Sequence, residues 1–189
     1  IFKELEIFFN ENLIKIEKEL NDFIKKIYII VESENVLSTS LSIKYHPERE
    51  KFNEQKINDL LNILKYQFTK FSNDQKIIHM KINKLLIDGM EKDLSFINEN
   101  FENLILEVKF ECLKAQFVNI IKKSLSKYQI LVEKILLANH IRESVESQTL
   151  NIIFKADKII SDANKNEVVW IKKKSMKYGF FEKFFHFFN

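Results

Sequence analysis

Two glycines and one proline in 189 residues leave the chain almost without its usual punctuation. A sheet protein of this length needs many tight turns, which lean on those two residue types. A bundle of a few long helices does not. The scarcity of Gly89, Gly179 and Pro47 therefore predicts an all-α chain. One cysteine, Cys112, excludes an internal disulfide framework and a cysteine-based zinc cluster. It fits a reducing compartment, so a cytoplasmic location is expected. No run of about 18 apolar residues occurs, so no membrane-spanning helix is expected. The apolar stretch at 1–9 is interrupted by Lys3, Glu4 and Glu6 and lacks a small-residue cleavage site, which argues against a signal peptide.

Catalytic patterns are missing as well. There is no G-x-S-x-G, P-loop, G-x-G-x-x-G or H-E-x-x-H. Two glycines nearly exclude a backbone phosphate cradle. The histidines are His46, His79, His140 and His186, and none has a partner in a metal-ligand spacing. His79 and His140 are the pair able to meet in space, yet a solvent-facing or core-edge position is the plain expectation for both. Glu133, Glu143 and Glu146 read as polar-face residues, and Cys112 as a small buried hydrophobe. Arginine, the usual base reader, is limited to Arg49 and Arg142, and acids offset Lys25-Lys26 and Lys122-Lys123. The expectation is a chain that is no enzyme, with no catalytic, cofactor or metal residues, no small-molecule substrate and no nucleic-acid partner.

What the chain does have is apolar residues, at 46%, enough for a substantial core. Lys, Ile, Asn and Phe dominate, all with A/T-rich codons, so arrangement carries more weight than abundance. Phe2, Leu5, Phe9, Leu13, Ile16, Leu20, Phe23, Ile27 and Ile30 recur every three or four residues. That is close to a coiled-coil seam and predicts a helix over 1–32. Residues 33–49 alternate instead, with Leu37, Leu41, Ile43 and Tyr45 at a period of two. This predicts an irregular or short extended segment near 33–47. Stripes at helical spacing then predict helices over about 48–88, 91–146 and 150–160. Ser72-Asn73-Asp74 and Asp88-Gly89 are soft spots within them.

The C-terminal segment is the one place with a functional lean. Residues 171–189 carry Lys172, Lys173, Lys174, Lys177 and Lys183 against Glu182 alone, a local +4, which leaves −1 for the rest of a +3 chain. On a helical wheel at about 100° per residue, Phe180, Phe181, Phe184, Phe185, Phe187 and Phe188 share an arc of about 160°. Such a face suits the core, an anionic membrane surface or a partner groove.

Together these readings give an elongated antiparallel bundle of four to five long helices over 1–170. A basic, Phe-rich amphipathic helix over 171–189 packs on it. The expected function is a scaffold or interaction module, joining a protein partner or a second copy through helical seams. The alternative is peripheral membrane binding through Lys172, Lys173, Lys174, Lys177, Phe180, Phe181, Phe184, Phe185 and Phe188.

Overall fold

A computed structural model describes residues 2–47, 52–93, 101–145, 151–161 and 167–168. The elements in chain order are α1 (Phe2–Leu20), β1 (Lys26–Val31), β2 (Leu37–Tyr45), α2 (Glu54–Phe71), β3 (Gln75–Ile87), β4 (Met90–Glu91), β5 (Leu104–Lys114), α3 (Ala115–Ser126), β6 (Leu131–Leu137), α4 (Ala138–Ser144) and α5 (Ile152–Ile160). The expectation of an all-α, coiled-coil-like bundle is overturned: the chain is a mixed α/β fold with two sheets. β1 and β6 form a parallel pair, and β2-β5-β3-β4 form an antiparallel sheet. Among the described residues no helix is long and apolar enough to cross a membrane.

The helix expected over 1–32 stops at Leu20. Asn21 takes a left-handed φ of 53°. Its N–H reaches Lys18 O and that of Asp22 reaches Glu17 O, the paired bonds of a Schellman close. The dense run Ile-Tyr-Ile-Ile-Val that follows is a strand with apolar residues on both faces, so its sequence shows no alternation. The extended segment near 33–47 is β2, paired with β5 along all nine residues.

The helices expected over 48–88 and 91–146 dissolve into several elements. Asn53 caps α2, its side chain accepting from Lys56 N, and Ser72-Asn73-Asp74 ends it. In β3 the residues facing the core are Ile77, Met80, Ile82, Leu85 and Ile87. Irregularities at Ile77/His79 and Ile82/Lys84 shift the register. Each stretches a step of two into a step of three, and the resulting spacing imitates a helix. Asp88 (φ 49°) and Gly89 (φ 82°) form the two-residue turn of the β3–β4 hairpin rather than a helix end. β5 alternates cleanly: Leu104, Leu106, Val108, Phe110 and Cys112 are all fully buried on one face.

Three apolar clusters hold these layers. α2 lays Ile57, Leu60, Leu61, Leu64 and Phe68 on the antiparallel sheet, where Phe68 stacks on Phe110 at 4.8 Å. α3 and α1 cover one face of the parallel pair through Val118, Ile121, Leu125, Phe9 and Leu13. α4 and α5 cover the other through Ile141, Ala156 and Ile159 around Leu136. The four-stranded sheet therefore turns its second face, carrying His79 and Glu111, toward β6 and α4.

Candidate functional site

His79 and Glu111 stand directly opposite each other across the β3–β5 ladder. They lie on the face away from α2, because their neighbours Met80 and Phe110 point into the core. His140 comes from the first turn of α4, just past the end of β6. Glu167 arrives on a short segment that runs beside β3, bridged to Lys81, with Val168 N–H donating to Met80 O at 2.8 Å. Four chain regions thus bring two histidines and two glutamates together in the space between the sheets.

The two imidazoles are stacked, with centroids 3.7 Å apart and planes 6° apart. Both side chains are buried, at 0% and 2% exposure for His79 and His140. Glu167 caps one end of the stack. Its Oε1 is 2.8 Å from His79 Nδ1 and its Oε2 is 3.6 Å from His140 Nε2. At the far end, His79 Nε2 accepts the backbone N–H of Leu137 at 3.0 Å, and His140 Nδ1 is 2.8 Å from Glu111 Oε2. Lys109 continues the chain of charges to Glu111 (2.9 Å) and Glu143 (3.4 Å), while Lys134 lies 3.9 Å from Glu167.

These bonds assign the protons. A nitrogen that accepts a backbone N–H carries no proton, so His79 is neutral with its hydrogen on Nδ1, donated to Glu167. Burial lowers its pKa most, and the carboxylates only partly offset this. Burial also works against a charge on His140, but the hydrogen bond to Glu111 and the Glu167 carboxylate 3.6 Å away outweigh it and raise the pKa. Of the two rings, His140 is therefore the one that favours the imidazolium. Both glutamates are pushed up by burial and pulled down further by their partners. Glu111, with His140 and Lys109, ends at about 2, and Glu167 ends well below the usual carboxylate range. The two carboxylates thus face one buried ring that favours the cation, His140, with the partly exposed ammonium groups of Lys109 and Lys134 beside them.

His79, His140 and Glu167 also place three possible ligand atoms within 4.8 Å of one another, which suggests a metal. Two features of the geometry argue otherwise. An imidazole lone pair lies in the ring plane, and the lone pairs of parallel stacked rings do not converge on one ion. A metal on His79 Nδ1 also moves the proton to Nε2, where the Leu137 N–H already points. The donor set fits a proton better than a cation. Among the described residues, the buried side-chain atoms left without a hydrogen-bond partner are Ser144 Oγ and His140 Nε2, the latter still facing Glu167 at 3.6 Å.

Glu167 reaches the larger of two clefts that border the cluster. That cleft, of about 820 Å3, lies between α2, β3, β6, β1 and α5, and its lining includes Lys65, Thr69, Gln75, Lys76, Lys134 and Tyr28. Glu133 also lines it, 3.7 Å from Lys26. Burial lowers the pKa of Lys65, and the charge of Lys76 lowers it further. A smaller cleft of about 310 Å3 opens on the opposite end of the cluster, at Lys109 and Glu111.

The possible meeting of His79 and His140 was visible in the sequence, although both lie inside rather than at the surface or core edge. Glu111 and Glu167 were not singled out. The signal for Glu111 was the β5 alternation, which sets Glu107, Lys109 and Glu111 on one face of a strand otherwise packed with apolar residues. Nothing local marks Glu167. Cys112 is buried as expected, its thiol pushed up to about 12 by burial and then by Glu111. The tail residues Lys172, Lys173, Lys174, Lys177, Phe180, Phe181, Phe184, Phe185 and Phe188 lie outside the described residues, as does His186.

Fold and site together define an α/β domain with a closed histidine–glutamate cluster beside a lysine-lined cleft. Compared with protein-family models and with curated proteins, the sequence matches none.

Proposed function

We propose that the chain is a non-enzymatic binding domain whose inter-sheet cleft takes a small anion of the carboxylate or phosphate type. The carrying observation is the convergence of Lys65 and Lys76 on one cleft of about 820 Å3, a size suited to a small ligand, with Lys134 on its wall shared with Glu167. The acids on its wall have cationic partners of their own: Lys26 for Glu133, and His140 and Lys134 for Glu167. An anion between Lys65 and Lys76 relieves their mutual repulsion. The histidines support a binding role rather than catalysis. They are sealed from the cleft and committed to fixed partners, so they hold Glu167 rather than exchange protons with a ligand. Among the described residues no activated nucleophile stands beside them, Cys112 being buried with a raised pKa.

The test is a titration of the full chain with inorganic phosphate and, separately, with acetate and citrate, followed by amide NMR. Saturable shifts confined to Tyr28, Thr69, Gln75 and Lys134, and lost in Lys65→Gln/Lys76→Gln, support the reading. Unsaturable or scattered shifts contradict it.

A second reading, assembly with a protein partner, draws on α1. No described side chain of that helix is fully buried, and Ile7, Phe8 and Ile14 are each more than half exposed. Peripheral attachment of a cytoplasmic protein to anionic membranes rests on the sequence of the tail alone. Co-sedimentation with anionic and neutral vesicles, for the full chain and for one ending at Trp170, tests it.

A further inference from the structure

β2 is an edge strand, and it lacks the usual protections of an edge. It pairs with β5 over nine residues, Leu37 to Tyr45, without a register shift, so no bulge twists it away. It contains no proline and a single charge, Lys44. Among the described residues no strand pairs with its other side. The residues it turns toward the core, Leu41, Ile43 and Tyr45, pack on the α2 cluster and yet stay only half-buried. A neighbouring strand completes their burial.

From this edge we infer that the protein self-associates by antiparallel pairing of β2 with β2 of a second copy. The segment Leu-Ser-Thr-Ser-Leu-Ser-Ile-Lys-Tyr is self-complementary about Leu41. A two-fold axis there sets Leu37 against Tyr45, Thr39 against Ile43 and Leu41 against Leu41 on the core side. On the solvent side it sets Ser40 against Ser42 and Ser38 against Lys44. Apolar meets apolar, polar meets polar, and the one charge meets a serine rather than itself. The alternation excludes a slip by one residue, which turns each core-side residue against a solvent-side one. The result is a continuous sheet of eight strands with an isologous interface.

The helix above the sheet is consistent with this. Lys65 and Thr69 on α2 line the cleft on the β3 side. Ile63 lies about 160° round the helix from Lys65, away from that cleft. It is 43% exposed. Nine paired residues make a small interface, so the expected dissociation constant is on the order of micromolar.

Sedimentation velocity of the full chain over a concentration series tests the inference. The exposed serines Ser40 and Ser42 face each other across the proposed axis, so Ser40→Lys/Ser42→Lys opposes like charges twice without touching the core. The expected result is a dimer for the natural chain and association weakened by about tenfold or more in the lysine variant. A similar loss is expected in Ser40→Glu/Ser42→Glu, with recovery when the two variants are mixed. Circular dichroism of each variant confirms the fold. A natural chain that stays monomeric at hundreds of micromolar overturns the inference. So does a dimer that both variants leave intact, or a mixture that fails to recover.

Discussion

His79 and His140 stack in parallel, 3.7 Å between centroids, and have pKa values shifted in opposite directions. The difference follows from what lies at the ring edges. Leu137 N–H needs a lone pair on His79, and the two carboxylates beside His140 hold its second proton. A neutral ring against an imidazolium avoids the repulsion of two cations. It also joins β3 to the β6–α4 junction across the gap between the sheets.

Removing the cation leaves Glu111 and Glu167 facing each other's charge in a buried site. His140→Gln is expected to destabilise the protein by about 3–5 kcal/mol. Urea unfolding followed by fluorescence measures it. A loss under 1 kcal/mol contradicts the assignment of charge to His140.

The cluster also sets the pH dependence of stability. His79 has a folded pKa below its ordinary 6.5, so stability falls as pH drops from 6.5 through the folded value. Glu111 contributes stability above its ordinary 4.5 that is lost as pH falls toward about 2. Glu167, also lowered, adds to that acid limb. His140 is shifted the other way: its contribution is full below 6.5 and lost as pH rises through the raised value. Thermal melts between pH 3 and 9 read all three limbs. In His79→Gln the decline just below pH 6.5 disappears while the steeper loss below 4.5 remains.

Zinc provides a separate check. Parallel rings and the Leu137 hydrogen bond leave no convergent donor set, so calorimetric titration with Zn2+ is expected to show no stoichiometric high-affinity site. Tight binding that is lost in His79→Ala contradicts the proton assignment.

Core substitutions distinguish strand from helix in β5. Leu106 is fully buried and Ile105 only half so. Leu106→Ala is expected to cost about 3 kcal/mol or more. Ile105→Ala costs clearly less. Gly89 has open space around its Cβ position but a φ of +82°. Gly89→Ala therefore costs only the backbone strain of that turn, about 1 kcal/mol.

Parts of this architecture were legible in the sequence. The seam from Leu5 to Ile16 does form one face of a helix, Leu37–Tyr45 shows the period of two of its strand, and Ile153 to Ile160 mark α5. The sheets were hidden by three physical effects. Two register shifts in β3 and one in the β1–β6 pair convert strand spacing into helix-like steps: Ile130, Val132, Ile135 and Leu137 repeat the pattern of β3. β1 is apolar on both sides, so it has no alternation to read. Turns here also rely on Asn21, Asp88 and Gln129 at positive φ, which a count of glycine and proline does not see. β5 carries a plain alternation in Leu104, Leu106, Val108, Phe110 and Cys112, which the helix expected over 91–146 passed over. Of the site, the histidine pair was nameable. The partner Glu167, 88 residues from His79, depends on the tertiary fold alone.

The proton positions on the stacked histidines are the center of this account, because they separate a closed charge network from a metal site and fix Glu167 at the cleft wall. Long-range 1H–15N correlation of the imidazole nitrogens at pH 7 measures them directly. The expected spectrum shows His79 as the neutral Nδ1–H tautomer and His140 protonated on both nitrogens. An Nε2–H tautomer for His79, or a neutral His140, contradicts it.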